Sequence, residues 1–176
     1  IRLNREQGLP YSAFGFTIDT MKALLIRLVS CLLVIQSSAL QAAEDAPYTL
    51  MVFGDSLSAA YGIEEESGWV TLLSNRIEDE DWPYRVINGS VSGETTTGGL
   101  VRLPAMLDSY QPDLVILELG GNDGLRGLPL STLKQNLLKM IDLVEASGGK
   151  ILLTGIQIPP NYGPRYTVPF FRIYGE

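Results

Sequence analysis

The chain has no histidine among its 176 residues. Imidazole is the usual proton acceptor beside a serine or cysteine nucleophile, so any nucleophilic chemistry must be argued without its ordinary base. The single cysteine, Cys31, excludes an internal disulfide and a thiolate metal site. Positive charge is also scarce. Thirteen Lys and Arg face 20 Asp and Glu, a formal net charge of −7, which argues against nucleic acid or an anionic membrane as a steady partner. No internal repeat and no linker divides the folded part. The Gly-x-Gly-x-x-Gly fingerprint of a dinucleotide fold is missing after the first strand-like run.

The amino end reads as a leader. Residues 1–20 show no sustained period and begin at Ile1, so they are expected to lie upstream of the true start. Met21 opens a different pattern. Lys22 and Arg27 are followed by an apolar run at 28–35 and a small, polar stretch ending in Ala42 and Ala43. That is the pattern of a secretory signal peptide over 21–42, cut near Ala42 or Ala43, and it predicts a periplasmic or secreted protein. The apolar run is far short of the roughly 20 residues a membrane span needs, so no stable anchor is expected. Leu28-Val29-Ser30-Cys31 loosely matches a lipoprotein box, but the run stays apolar beyond the cysteine, where a lipidated chain should turn polar. The expected domain is 46–176.

Within it, strands and helices alternate. Tyr48 to Phe53 is a short apolar run ending at Gly54-Asp55-Ser56, a strand with a turn at its carboxyl end. Residues 67–78 have helical spacing, with Ser67 as the expected cap. A second strand over 84–88 ends at Gly89. Thr95 or Thr96 leads a helix that closes near Gln111-Pro112. A third strand spans 113–119, its Leu114-Val115-Ile116-Leu117 run apolar, as a strand covered on both faces should be, and it ends at Gly120-Gly121-Asn122-Asp123. Ser131 is expected to start the next helix, with Leu133, Leu137, Leu138, Ile141 and Val144 on its buried face and Gly148-Gly149 as the stop. A fourth strand is predicted over 150–158, and a last helix beginning near Val168. This rhythm predicts an α/β fold with a mostly parallel sheet, for which the common doubly wound, flavodoxin-like order is 2-1-3-4.

In that order the second and third strands flank the first, about 4.8 Å away on either side. Three glycine-containing motifs then meet at one sheet edge. Ser56 is the candidate nucleophile. The Ser56 N–H, the Gly89 N–H and the Asn122 carboxamide are candidate donors to the oxyanion that attack on an ester would create. Asn122 offers an NH₂ where an aspartate could only accept. The ordinary readings are that Asp55 and Ser56 cap a helix and that Gly89 and Asn122 serve turns. The three motifs in order, each after a strand, favour the site.

Gly54-Asp55-Ser56-Leu57-Ser58, Gly89 and Gly120-Gly121-Asn122-Asp123 resemble the first three blocks of the SGNH (GDSL) hydrolases, most closely the bacterial periplasmic thioesterase I, lysophospholipase L1 and arylesterase subgroup. Residues 118–127 and Pro160-Asn161-Tyr162-Gly163 resemble further runs of that subgroup. The resemblance implies a three-layer α/β/α fold, a Ser56 nucleophile, an oxyanion hole of Ser56, Gly89 and Asn122, no metal or other cofactor, and acyl esters or thioesters as small-molecule substrates. It also implies a loop after Asn122 that moves on acyl binding, with Gly124 and Gly127 as hinges.

Asp55, Asp123, Gly124, Leu125, Leu128, Pro160 and Tyr162 are expected on the substrate side, in a protein working as a monomer. The family's Asp-x-x-His block, which carries the base, does not occur here. That absence is read as truncation, and the 176 residues alone are expected to be nearly inactive. Asp123 is a poor substitute base, because a carboxylate is too weak a base for a serine hydroxyl at neutral pH. The alternative is a non-catalytic acyl- or glycan-binding module on the same fold.

Overall fold

A computed structural model describes residues 48–175. The upstream segment, the signal peptide and Cys31 lie outside the described residues. Four strands form one parallel sheet in the order β2-β1-β3-β4: β1 (Tyr48–Gly54), β2 (Tyr84–Asn88), β3 (Leu114–Glu118) and β4 (Lys150–Leu153). The helices are α1 (Trp69–Asp79), α2 (Thr96–Tyr110), α3 (Gly121–Leu125), α4 (Leu130–Ala146) and α5 (Pro164–Arg172). The α/β architecture and the strand order are those expected from the sequence.

Side-chain alternation along the central strands builds two cores. Leu50 and Val52 of β1 join Ile116 of β3 and pack on Val70 and Ile77 of α1. Met51 and Phe53, with Val115 and Leu117, face the opposite way onto Leu103 and Leu107 of α2 and Leu133, Leu137, Met140 and Val144 of α4. Phe170 of α5 closes the same cluster. Met51, Val52 and Phe53 are all 0% exposed, which explains an apolar run without polar alternation. The strand order changes direction at β1, so the crevice between the carboxyl ends of β1 and β3 is the natural ligand position.

Several boundaries differ from the sequence reading. Ser67 does not cap α1; it ends a short 3₁₀ turn, and Gly68 in extended conformation precedes the helix without a side-chain cap. Ser131 likewise does not start α4, because the Pro129 carbonyl already accepts the Thr132 and Leu133 amides and the helix begins at Leu130. Leu138 lies outside the buried face at 50% exposed, and Met140 is buried in the cluster instead. The fourth strand stops at Leu153. The Thr154 N–H still reaches the Leu117 carbonyl, but β3 ends at Glu118 and turns away, so no partner remains beyond. The last helix starts earlier than expected because Pro164 sits at its first position, where a missing amide proton costs nothing.

Candidate active site

β1 delivers a tight turn at its carboxyl end. The Asp55 carbonyl accepts the N–H of Ser58 at 3.2 Å and of Ala59 at 2.9 Å. Gly54 is required there: a Cβ at this position would lie 2.8 Å from both Glu118 Oε2 and Ser58 Oγ. Asp55 is buried, 2% exposed. Its Oδ1 accepts the Leu57 N–H at 3.0 Å, and its Oδ2 accepts from Asn122 Nδ2 at 3.0 Å. Ser56 is half-buried and lines a cavity of about 240 Å³ together with Leu57, Asn122, Leu125, Ile158 and Pro159. No described residue makes a hydrogen bond to Ser56 Oγ.

β3 delivers Asn122 at the start of α3. Both hydrogens of its amide are engaged, one with Asp55 Oδ2 and one with the Glu94 carbonyl at 2.9 Å. Ser56 and Asn122 therefore share one cavity, as the sequence reading expected of neighbouring strand ends.

The loop after β2 corrects that reading. The Gly89 N–H continues the sheet ladder, donating to the Val52 carbonyl at 2.8 Å, so it does not face the cavity as a free donor. A Cβ there would come 2.8 Å from Met106 Cε, the end of a flexible side chain that can move aside. Four residues on, Gly93 adopts φ +78°. Its carbonyl accepts from Arg126 Nη2 at 3.0 Å, and its N–H has no acceptor among the described residues. Glu94, the next residue, is the one whose carbonyl holds Asn122. In the sequence, the glycine directly after the strand, Gly89, masks Gly93. The signal was present in Ser92-Gly93-Glu94-Thr95, a turn placed just before the Thr95 cap of α2.

The expected substrate-side residues divide. Leu125 lines the cavity and is 48% exposed. Tyr162 donates its hydroxyl to the Leu125 carbonyl at 2.9 Å, tying the facing wall to α3. Pro160 lies in an adjoining groove of about 430 Å³ that shares Gln157 and Ile158 with the cavity. Leu128 is half-buried, its carbonyl taken by the Tyr166 hydroxyl, and it does not line the cavity.

Asp123 is not on the substrate side. It is 2% exposed and accepts the Thr96 N–H at 2.9 Å and the Thr96 hydroxyl at 2.6 Å, which fixes the start of α2. Gly124 is not a hinge either. It is buried in α3, and a Cβ there would meet Phe170 at 2.7 Å and Ile158 at 2.8 Å.

Glu118, at the end of β3, was not singled out in the sequence. It is 7% exposed, accepts the Ser58 hydroxyl at 2.8 Å through Oε2, and leaves Oε1 buried without a partner. Burial pushes its pKa from 4.5 up to about 7, against the opposing Ser58 hydrogen bond. Burial also raises Asp55 above 3.8, while the Leu57 amide and Asn122 pull it back. The signal for Glu118 was a lone acid closing an otherwise apolar strand. Among the described residues no group of three or more His, Cys, Asp or Glu side chains could hold a metal ion.

Comparison with known proteins agrees with this geometry. The model of the GDSL-like lipase/acylhydrolase family matches residues 52–173. The chain is similar to an esterase, TesA, of Pseudomonas aeruginosa, with 52% identity over 155 residues, covering 88% of this chain and 74% of that protein. It is 47% identical to an arylesterase of Vibrio mimicus, covering 85% and 74%. It is also 43% identical to thioesterase 1/protease 1/lysophospholipase L1 of Escherichia coli, covering 72% of this chain and 59% of that one. Among solved structures, that of TesA superposes with a TM-score of 0.71 at 57% identity, covering 72% and 71% of the two chains. The esterase EstA of a Pseudoalteromonas species, inhibited by monoethylphosphonate, gives 0.70 at 45% identity, covering 72% and 69%.

Proposed function

The chain belongs to the GDSL-like lipase/acylhydrolase family and is an ester hydrolase, and on that footing we propose that Ser56 is its nucleophile. Ser56 Oγ attacks the carbonyl carbon of an acyl ester or thioester, the alcohol or thiol departs, and water releases the acyl group from the serine. The oxyanion at each step is held by the N–H of Ser56 and of Gly93 and by Asn122 Nδ2. Asn122 serves this role by sharing a hydrogen now directed at Asp55 or at the Glu94 carbonyl. Losing one such donor costs about 10²–10³ in rate. Leu57, Leu125, Ile158 and Pro159 receive the acyl chain. The observation that carries this reading is an unbonded serine hydroxyl in a cavity with Asn122, at the switch point of the sheet.

The proton of Ser56 has no imidazole acceptor in these 176 residues. In a serine hydrolase, removing the histidine costs about 10⁶ in turnover and leaves about 10³–10⁴ over water. The test supplies the missing base in solution. Hydrolysis of 4-nitrophenyl butyrate is measured against imidazole concentration, with the Ser56→Ala chain as the blank for imidazole's own attack. An imidazole-dependent excess in the unsubstituted chain supports the reading. Equal rates in both chains contradict it, and saturable binding of the ester without turnover would instead favour an acyl-binding module.

Residues 21–42 act in this proposal as a secretion leader for a periplasmic or secreted monomer. Among the described residues, no helix is long and apolar enough to cross a membrane.

A further inference from the structure

Resting on the reading of Ser56 as nucleophile, we propose that Arg102 is a positioning residue that clamps the 89–94 loop and thereby sets the Gly93 amide toward the serine. Arg102 projects from α2, and its guanidinium holds both ends of that loop at once. Nη1 donates to the Gly89 carbonyl at 2.7 Å, and Nε donates to Glu94 Oε2 at 3.1 Å. The face of the group lies 4.2 Å from the ring centroid of Phe53, a residue of β1 that is fully buried. The cation is thus fixed to the sheet, and the loop is fixed to the cation.

The consequence reaches the site through Glu94. Its side chain meets Arg102 while its carbonyl accepts from Asn122, which in turn bonds Asp55 beside Ser56. Between the two clamped ends sits Gly93 at φ +78°, a conformation few other residues adopt without strain. The Arg102–Glu94 pair is well shielded, its side chains 27% and 13% exposed, against 68% and 45% for the surface pair Arg76–Glu80. A planar fork with donors at fixed angles can serve two acceptors and a ring face together, whereas a lysine offers a single compact charge on a flexible stem. Charge alone therefore does not reproduce the clamp.

The test uses the whole chain, ¹⁵N-labelled, in its unsubstituted, Arg102→Lys and Arg76→Lys forms. Each is treated with a neutral alkyl fluorophosphonate in the presence of imidazole, and the Gly93 amide is followed by NMR. Attack by Ser56 Oγ on phosphorus expels fluoride, and imidazole takes the proton, leaving a phosphoryl oxygen where an oxyanion would lie. The expected result is a downfield shift of the Gly93 amide proton on adduct formation in the unsubstituted and Arg76→Lys chains. Arg102→Lys is expected to lose that shift, to form adduct about 10- to 100-fold more slowly, and to exchange its amides at 90–94 faster in the free protein.

An Arg102→Lys chain with the same adduct rate, Gly93 shift and exchange as the unsubstituted chain overturns the clamp. If no chain takes the phosphonate, the reading of Ser56 as nucleophile falls, and amide exchange in the free protein still decides the clamp. Should Arg102→Lys fail to fold, Glu94→Gln loosens the other end and is judged by the same readouts.

Discussion

At the scale of single residues, Glu118 shows how a buried carboxyl couples this site to pH. Its Oε2 takes the Ser58 hydroxyl of the turn that carries Ser56, and the Asp55 N–H lies 3.5 Å away. Burial raises the folded-state pKa from 4.5 to about 7, so the folded chain binds more protons than the unfolded one across that window. The group's contribution to stability is fully present below pH 4.5 and is lost as pH rises through 7, amounting to about 3 kcal/mol at most. Asp55, raised by the same burial, acts in the same direction. Glu118→Gln keeps an acceptor for Ser58 and removes the titration. Chemical denaturation at pH 5 and pH 8 should give that variant a flatter pH dependence and higher stability than the unsubstituted chain at pH 8. An unchanged slope would place the pH sensitivity elsewhere. Sequence reasoning found Ser56 and Asn122 because their chemistry is written in their residue types. It missed Glu118, because a desolvated acid differs from a solvated one only in its surroundings.

At the scale of elements, periodicity located every strand and long helix, and local backbone chemistry decided their ends. Of the two expected starts, Thr95 caps α2, its hydroxyl accepting the Gly98 N–H at 3.3 Å. Ser67 and Ser131 do not cap, because Gly68 and Pro129 already hold the extended backbone that precedes each helix. The residues after β3 were read as a hinged loop from their glycines, yet they form α3 with Gly124 pressed against Phe170. Gly124 answers to close packing, whereas Gly127 lies beyond the helix at φ +63° with no atom within 4 Å of where a Cβ would be, and one sequence cannot tell the two demands apart.

Asp123 supplies the sharpest element-level test. Its carboxylate bonds the Thr96 N–H and hydroxyl, and Asn136 of α4 donates to the same hydroxyl at 3.2 Å, so one buried group joins α2, α3 and α4. Asp123→Ala leaves those donors unpaired and should cost about 1–3 kcal/mol per buried group so stranded. Urea denaturation checks this. A loss under about 0.5 kcal/mol, the range of ordinary surface changes, would show that the junction stands without Asp123.

At the scale of the whole molecule, the alternation of elements points to a parallel sheet, its strand order 2-1-3-4 is the common doubly wound one, and it brings the ends of β1 and β3 together. What topology alone did not convey was the path of the chain after β2. The ladder continues through Gly89, and in the proposed function the amide that serves the serine is that of Gly93, four residues beyond the one that adjacency suggested. β4 has no partner on its outer side among the described residues, and Leu152, in register with Ile116, is 53% exposed. Such an edge is a ready template for further pairing.

The account as a whole rests on one hydroxyl reacting because of where the fold puts it. Peptide-resolved mass spectrometry after fluorophosphonate and imidazole treatment tests this directly, since Ser58 and Ser90 stand close by as internal controls. The phosphonyl group is expected on Ser56 alone, and to be absent from the Ser56→Ala chain. Modification spread over Ser58, Ser90 and other serines, or retained in Ser56→Ala, would contradict it.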